Sequence, residues 1–351
     1  MSQRVDRELG ALLDDAAERG SCLVLSEKDA DSLQRALERR AQSGMIFSPA
    51  RGLYVRADVW AKMDRDARTL FVVRGLQALH PDWVFCGPTA AVAYGVDVSW
   101  SLQDRIHLAT TRAAHRGNSR LICRHAVLSE ERPSKDIEVI EGIRVTTPER
   151  TIYDCLRSTD FPRGLGMADS AIRREVVSQG GIMRYVEGLR DRSRGKGQAL
   201  GTLSWTDPRS ENGGESIARA HMLLLGYARP ELQVEVPNLV EGGEPFRADF
   251  CWVRRDGVVI LGELDGTDKY VVEEMTRGRS LDEVLSDEKT RGSRITLYDV
   301  SVMRFRFGLT GRPEQFAALL DEYGVPRRGS ALAFPDNAHV LPNWEKLRRG
   351  A

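Results

Sequence analysis

The chain has 351 residues, 41% of them hydrophobic, and its 51 basic and 51 acidic side chains leave no net charge. This length predicts two or three domains, and the balanced charge means that any nucleic-acid partner must contact local basic patches. No apolar run reaches the roughly 20 residues of a membrane span, and no signal peptide is recognisable, so we expect a cytoplasmic protein without a membrane partner. Five scattered cysteines predict reduced thiols rather than disulfides or zinc ligands.

Residues 1–60 predict a small winged helix-turn-helix domain. Apolar periodicity indicates helices over 4–19 and 31–44, and Ile46-Phe47 and Leu53-Tyr-Val55 flank a turn that contains glycine. A plain helical cap is the alternative that this short pattern leaves open. Because arginine forks suit phosphate groups, we expect DNA contacts from four arginines of this region. They are Arg35, Arg39, Arg40 and Arg51.

Four stretches of the first half resemble the AbiEi family of antitoxins. Arg51-Gly-Leu-Tyr54 resembles the wing of these proteins, and the other three stretches resemble the body of the same family. Those three are Cys86-Gly-Pro-Thr-Ala-Ala-Val-Ala-Tyr-Gly95, Arg105-Ile-His-Leu-Ala-Thr110 and Gly142-Ile-Arg-Val-Thr-Thr-Pro-Glu-Arg-Thr-Ile-Tyr-Asp-Cys155. The resemblance implies an AbiEi-like α/β region over 61–164, a DNA-binding regulator of a toxin–antitoxin operon, and a toxin partner encoded nearby.

The same region carries few other signals of chemistry. Arg150 and Asp154 lie four residues apart on a predicted helix, a spacing typical of a structural ion pair. No Ser/His/Asp arrangement, nucleotide-binding glycine loop or metal-binding histidine cluster is apparent in the sequence. Residues 165–205 are basic and predict a helical connector to the next domain.

The most informative pattern lies in residues 206–327, which predict a separate domain. Two apolar runs flank Asp256-Gly257, the strongest short-range signal of a β-hairpin. If the hairpin closes there, Asp249 lies opposite Glu263, and Asp265 projects to the same side as Glu263 because strand side chains alternate. Three carboxylates at one end of a sheet predict a Mg²⁺ or Mn²⁺ site, since like charges repel unless a cation neutralises them. Solvated charges at the base of the hairpin are the alternative.

This domain resembles the PD-(D/E)XK nuclease superfamily, and it is most similar to the branch of very-short-patch repair endonucleases. The motifs that carry the resemblance are Gly214-Glu-Ser216, Asp249, Glu263-Leu-Asp-Gly266 and Glu288-Lys289. It implies a restriction-endonuclease-like mixed sheet flanked by helices, in which the three strand acids act on the substrate through a metal ion. Glu215 is either a further ligand or an acid that favours the start of its helix. Asp265 stands where the superfamily has a lysine, so it is either a third ligand or a water-positioning base, and Lys269 and Lys289 are the candidates for the missing positive charge.

The end of this domain predicts one more strand and a helix. Residues 299–307 alternate, with Arg304 and Arg306 on one face, where they contact phosphate or simply line an exposed strand. The opposite face holds Met303, Phe305 and Phe307. A helix is expected over 313–323, and residues 328–351 predict a loosely attached tail.

The sequence as a whole predicts an α/β protein of the α+β multi-domain kind. The leading hypothesis is a metal-dependent DNA endonuclease with an N-terminal DNA-binding region, active in phage defence or mobile-element biology. The alternative is a DNA-binding transcriptional regulator or antitoxin whose nuclease-fold module is inactive. DNA is the expected partner in both cases, and a homodimer stays open.

Overall fold

The computed structural model describes residues 2–25, 30–113, 117–129, 131, 133–239, 243–265, 294–328 and 340–349. The chain divides into two compact units, each built from two segments. The N-terminal unit comprises Met1–Thr159 and Arg174–Ala199, and the C-terminal unit comprises Asp160–Arg173 and Leu200–Ala351. Helices and mixed sheets occur in both, so the predicted α+β class is confirmed. In the described part of the chain, no helix combines the length and apolar character needed to cross a membrane.

The N-terminal unit begins with two helices and a short hairpin. Helices α1 (Ser2–Glu18) and α2 (Ala30–Gln42) precede the antiparallel strands β1 (Ile46–Phe47) and β2 (Val55–Arg56), as the sequence predicts. Leu23 forms a bridge with Tyr54 next to this hairpin. Apolar residues spaced at helical intervals bury one face of each helix against the hairpin, which explains why so short a segment packs. The buried cluster includes Leu9, Leu13, Leu33, Leu37, Ile46 and Tyr54.

A five-stranded sheet forms the body of the N-terminal unit, with strand order β5-β4-β3-β7-β6. Its strands are β3 (Val84–Phe85), β4 (Ile106–Thr110), β5 (Ile122–Ala126), β6 (Ile137–Ile140) and β7 (Ile143–Thr146). The helices of this body are α3 (Ala57–Lys62), α4 (Arg65–Leu79), α5 (Gly87–Ala93), α6 (Pro148–Leu156) and α8 (Gln179–Glu187). One face of the sheet is buried in a cluster that includes Phe85, Leu108 and Val145. On α6, Arg150 Nε lies 2.8 Å from the carboxylate of Asp154, so the predicted ion pair forms.

The C-terminal unit contains a four-stranded sheet of order β11-β10-β9-β8. Its strands are β8 (Glu231–Val236), β9 (Phe246–Val253), β10 (Val259–Asp265) and β11 (Val300–Arg306). Strand β9 is antiparallel to both β8 and β10, whereas β11 runs parallel to β10. The helices are α7 (Phe161–Arg173), α9 (Lys196–Leu203, which spans the division between the units), α10 (Gly213–Leu224), α11 (Phe307–Thr310), α12 (Pro313–Glu322) and α13 (Trp344–Leu347).

Both faces of this sheet are buried, so alternate residues of its strands enter two different apolar clusters. Phe250, Ile260 and Phe305 pack on the face that also contacts Ala218 and Met222 of α10. The opposite face holds Val236, Cys251, Val259 and Leu261. One expectation needs correction: Phe307 does not continue the apolar face of β11. The strand ends at Arg306, and Phe307 begins α11 with 41% of its surface exposed.

A buried ion pair joins α7 to α10. Arg219 Nη2 lies 2.6 Å from Asp169 Oδ2, and both side chains are fully buried. Arg219 also donates to the Trp205 carbonyl at 2.9 Å, and the Asp207 main-chain N–H donates to Asp169 at 2.7 Å. Part of the segment predicted as a connector, α7, is therefore packed inside the C-terminal unit. The neighbouring residues Trp205 and Asp207 are buried as well.

Candidate functional site

The predicted acids lie at one end of the C-terminal sheet. The observed register pairs Val259 with Val253 and Gly262 with Phe250, which is the register that places Asp249 beside Glu263 at the next step. The Leu264 N–H donates to Asp249 Oδ2 at 2.8 Å, and this bond ties the two strands together just beyond that pair. Glu263 is buried, whereas Asp249 and Asp265 are half-buried.

Glu215 occupies the first turn of α10, and its carboxylate helps to cap that helix. Asn212 precedes the helix and accepts from the Glu215 N–H at 3.0 Å, while its own amide donates to Glu215 Oε1 at 2.6 Å. The Glu211 N–H donates to Glu215 Oε2 at 2.7 Å. This is close to the reciprocal arrangement of a capping box. The alternative of a helix-start acid therefore accounts for much of the geometry at Glu215.

Gln233 connects Glu215 to the strand acids, a role that no pattern in the sequence predicts. Its Nε2 lies 3.0 Å from Glu215 Oε2 and 3.4 Å from Asp249 Oδ1. The backbone of Gln233 has φ +51°, which is uncommon for a residue with a side chain. Leu232 and Val234 on either side of it enter the two different apolar clusters, so the strand changes face at this point. With this backbone conformation, the side-chain amide of Gln233 lies close to two carboxylates.

This environment alters the ionisation of Glu215. The pKa of Glu215 is raised to about 7, chiefly by burial and also by the negative charge of nearby Asp249, against the opposing effect of hydrogen bonds from the Glu211 N–H and Gln233. A carboxyl group with such a pKa is partly protonated at neutral pH. Partial protonation of Glu215 therefore reduces the charge repulsion between the acids of this site.

Two arginines of β11 lie beside two acids of β10. In the parallel register, Glu263 is the neighbour of Arg304 and Asp265 is the neighbour of Arg306. Arg304 Nη2 lies 3.3 Å from Glu263 Oε2. The alternation of β11 is therefore as predicted, but Arg304 forms an ion pair with an acid of its own sheet. Arg306 is exposed.

The carboxylates of Glu215, Asp249, Glu263 and Asp265 do not form a compact set of metal ligands in this structure. Among the described residues, His107, Cys123 and His125 are the group of three whose ligand atoms all lie within 4.8 Å of one another. The oxygen donors of the acids suit Mg²⁺ or Mn²⁺ chemically, but Asn212, Gln233 and Arg304 already satisfy several of them. Lys269 and Lys289 fall outside the described residues.

The arginines predicted to contact DNA lie on α2 and on the turn after β1. Arg35 and Arg39 are exposed and four residues apart, so they share one face of α2. Arg51 is exposed in the turn that joins β1 to β2, and Arg40 is half-buried. Arg35, Arg39 and Arg51 make no ion pair with any residue that the structure describes. We call these three residues the basic patch.

The AbiEi resemblance is supported by comparison with known families. Residues 83–203 match the family model of the AbiEi antitoxin C-terminal domain. The matched stretch begins at β3 and ends with α9, so it includes the five-stranded body and also α7, which carries Asp169. It is called the AbiEi segment below.

Two curated relatives extend this comparison without assigning an activity. They are Uncharacterized protein MT2308 of Mycobacterium tuberculosis strain CDC 1551 / Oshkosh and Uncharacterized protein Rv2248 of strain ATCC 25618 / H37Rv. Each is 31% identical over 169 residues, which is 48% of this chain and 58% of the relative. The chain thus covers less than two thirds of the length of these relatives.

Sequence reasoning missed two features of the site chemistry. Gln233 gave no signal, because its role depends on a local backbone distortion. The closeness of His107, Cys123 and His125 was missed as well, although their ligand atoms lie near enough together to hold a metal ion. Cys123 and His125 alternate on one strand, but the pairing of that strand with the strand of His107 cannot be deduced from spacing.

Proposed function

We propose that this protein is a DNA-binding regulator of the antitoxin type, and that its nuclease-like C-terminal unit serves binding or assembly instead of cleavage. The match of residues 83–203 to the AbiEi antitoxin C-terminal domain carries the proposal. A toxin encoded nearby is the partner that this kinship suggests. The described structure adds two supporting features, one in each unit.

The first supporting feature is the basic patch that precedes the AbiEi segment. Two helices followed by a hairpin is the order of a winged helix-turn-helix, in which the second helix enters the major groove of DNA. Arg35 and Arg39 project from that helix, and Arg51 lies on the wing turn. Each guanidinium is exposed and available for a phosphate, so the patch can bind DNA although the chain has no net charge.

The second supporting feature is the internal neutralisation of the acids at the C-terminal sheet. Arg304 offers Glu263 the positive charge that a metal ion would otherwise supply. Gln233 and the Leu264 N–H donate to Asp249, and Glu215 is engaged in capping α10. Together with Asp265 in place of the lysine that the nuclease resemblance implies, these contacts support a structural role for the acids of this sheet.

DNA binding through the basic patch can be tested by fluorescence anisotropy. The probe is a labelled duplex that covers the region upstream of the protein's own gene, titrated at several salt concentrations. Replacing Arg35 and Arg39 together with alanine should lower the slope of log K against log salt by about 1.8, since each lost phosphate contact removes about 0.9. The matched control is Arg19→Ala on α1, because Arg19 is exposed but already paired with Asp15. An unchanged slope, or no binding at the lowest salt, would refute the assignment of the patch.

A metal-dependent nuclease remains the second candidate, because Asp249, Glu263 and Asp265 do lie together at the end of a mixed sheet with Glu215 nearby. In that case Asp249 and Glu263 would hold Mg²⁺ or Mn²⁺. The ion would lower the pKa of a bound water and neutralise charge on the phosphoryl oxygens. Plasmid incubated with either ion, with and without a chelator, decides between the two candidates. Divalent-dependent cutting that disappears in Asp249→Asn and Glu263→Gln supports the nuclease, whereas intact plasmid throughout supports the regulator.

A further inference from the structure

The AbiEi segment contains a cluster of three side chains that has no part in either proposed function. His107 lies on β4, and Cys123 and His125 lie on the neighbouring parallel strand β5. His107 is paired in register with Cys123, and His125 follows two residues later, so all three project from the same face of the sheet. The opposite face of these strands contributes Ile106, Leu108 and Ile122 to the apolar core.

The three potential ligand atoms lie close together on residues that are half-buried. Nδ1 of His107 lies 2.9 Å from Nε2 of His125, and the two rings are nearly parallel, with an interplanar angle of 9°. The Cys123 sulfur lies within 4.8 Å of one ring nitrogen of each histidine. All three residues are half-buried, so the protein restrains the side chains while a small ion can still reach them.

We propose that His107, Cys123 and His125 form a zinc site that links β5 to β4. Two imidazole nitrogens and one thiolate are a donor set that suits Zn²⁺, and they differ in kind from the hard oxygen donors of the C-terminal acids. Zn–N and Zn–S bonds of about 2.0 and 2.3 Å require ligand atoms roughly 3–4 Å apart, so only small side-chain movements are needed. A tetrahedral ion would keep its fourth position for water or another ligand.

Proton balance at this site is straightforward. Without an ion, one histidine ring donates its N–H to the other across the 2.9 Å contact. On binding, that proton moves to the other nitrogen of the same ring, both facing lone pairs bind the ion, and the Cys123 thiol releases its proton to solvent. No oxidant or other reactant is required.

The position of the site indicates a structural role. Strand β5 is at the edge of the five-stranded sheet and has β4 as its neighbour. An ion bound to Cys123 and His125 on the edge strand and to His107 on the next strand would fix the edge strand in register. Edge strands are otherwise prone to slip or to pair with another chain.

The test uses the full-length protein after treatment with a chelator, titrated with CoCl₂ and with ZnCl₂. Co²⁺ should give one equivalent of a species with thiolate-to-metal charge-transfer absorption and the intense ligand-field bands of a tetrahedral site, and Zn²⁺ should abolish this spectrum. The thiolate absorption reports a cysteine ligand directly and does not depend on any variant being folded. It also separates this site from ion binding by the carboxylates.

Variants then identify the ligands. Cys123→Ser should lose the charge-transfer absorption, and His107→Gln and His125→Gln should each weaken Zn²⁺ binding by about 100-fold or more, above the effect typical of residues that only orient a ligand. The control is His80→Gln, because His80 is exposed and stacked on Trp83. A Co²⁺ spectrum without thiolate absorption, or histidine variants that bind Zn²⁺ like the unmodified protein, would reduce the cluster to two hydrogen-bonded imidazoles and overturn the proposal.

Discussion

Replacing Glu215 with glutamine should remove a pH dependence from the stability of the C-terminal unit. Glu215 is only 4% exposed, and burial beside Asp249 raises its pKa to about 7 from an ordinary value of 4.5. Glutamine has nearly the same shape, and its amide oxygen can still accept from the Asn212 amide or the Glu211 N–H. The substitution therefore changes the ionisation of the site much more than its packing.

The sign of the effect follows from the raised pKa. The folded state binds the Glu215 proton more tightly than the unfolded state, so the protonated side chain contributes its full stabilisation below pH 4.5. That contribution is lost as the pH rises through 7. The difference between the two pKa values corresponds to roughly 3 kcal/mol, most of which is lost between about pH 5 and about pH 8. Against the unmodified protein, Glu215→Gln should therefore gain relative stability by about that amount over the same interval.

Hydrogen exchange followed by mass spectrometry can measure this for the C-terminal unit alone, because peptides from β9 and β10 report its opening. The unmodified protein and Glu215→Gln are compared at several pH values after correction for intrinsic exchange. The control is Glu314→Gln, since Glu314 also lies in the first turn of a helix of this unit but is exposed. Parallel pH profiles for the unmodified protein and Glu215→Gln would refute the reasoning, and so would an equal change in the control.

Further predictions concern the fold and the second candidate function. Asp169→Ala should destabilise the C-terminal unit by about 3–5 kcal/mol, because it leaves the guanidinium of Arg219 buried and unpaired. Urea unfolding measures the loss of stability, and a loss under about 1 kcal/mol would contradict this prediction. Asn212→Ala should destabilise α10 by about 0.5–2 kcal/mol through loss of its cap, seen as faster hydrogen exchange in that helix alone. If the protein cleaves DNA, either Lys269→Met or Lys289→Met should slow cleavage by roughly 100-fold or more in single-turnover assays, whereas equal rates would exclude both ammonium groups from catalysis.

The sequence predicted those secondary-structure elements whose formation depends on residues that are close together in the chain. Asp256-Gly257 gave the hairpin and its register, because a tight turn fixes which residues of the two strands face each other. Apolar periodicity likewise gave the two N-terminal helices and the short hairpin after them. The alternation of Arg304 and Arg306 was also correct, since strand side chains must alternate.

Other features depend on contacts between distant segments or on the backbone of one residue. The sequence left Arg304 either at a DNA phosphate or on an exposed strand face. Its strand is parallel to β10, and this pairing, which spacing does not reveal, brings the guanidinium to Glu263. Gln233 reaches two acids because its φ is +51°, a value that no property of glutamine favours. Strands β4 and β5 are parallel neighbours, so His107 meets Cys123 only once the sheet is assembled.

The two proposed functions differ in what neutralises the acids of the C-terminal sheet. In the described structure the protein supplies that neutralisation: Glu263 is paired with Arg304, Asp249 accepts from two N–H groups, and Glu215 holds a proton near neutral pH. A bound divalent ion would favour ionised Glu215 and would compete with Arg304 for Glu263. Mg²⁺ should therefore flatten the pH profile described above if the site binds metal, and should leave it unchanged if the acids are structural. The stability profile thus distinguishes the regulator from the nuclease even when no DNA substrate is known.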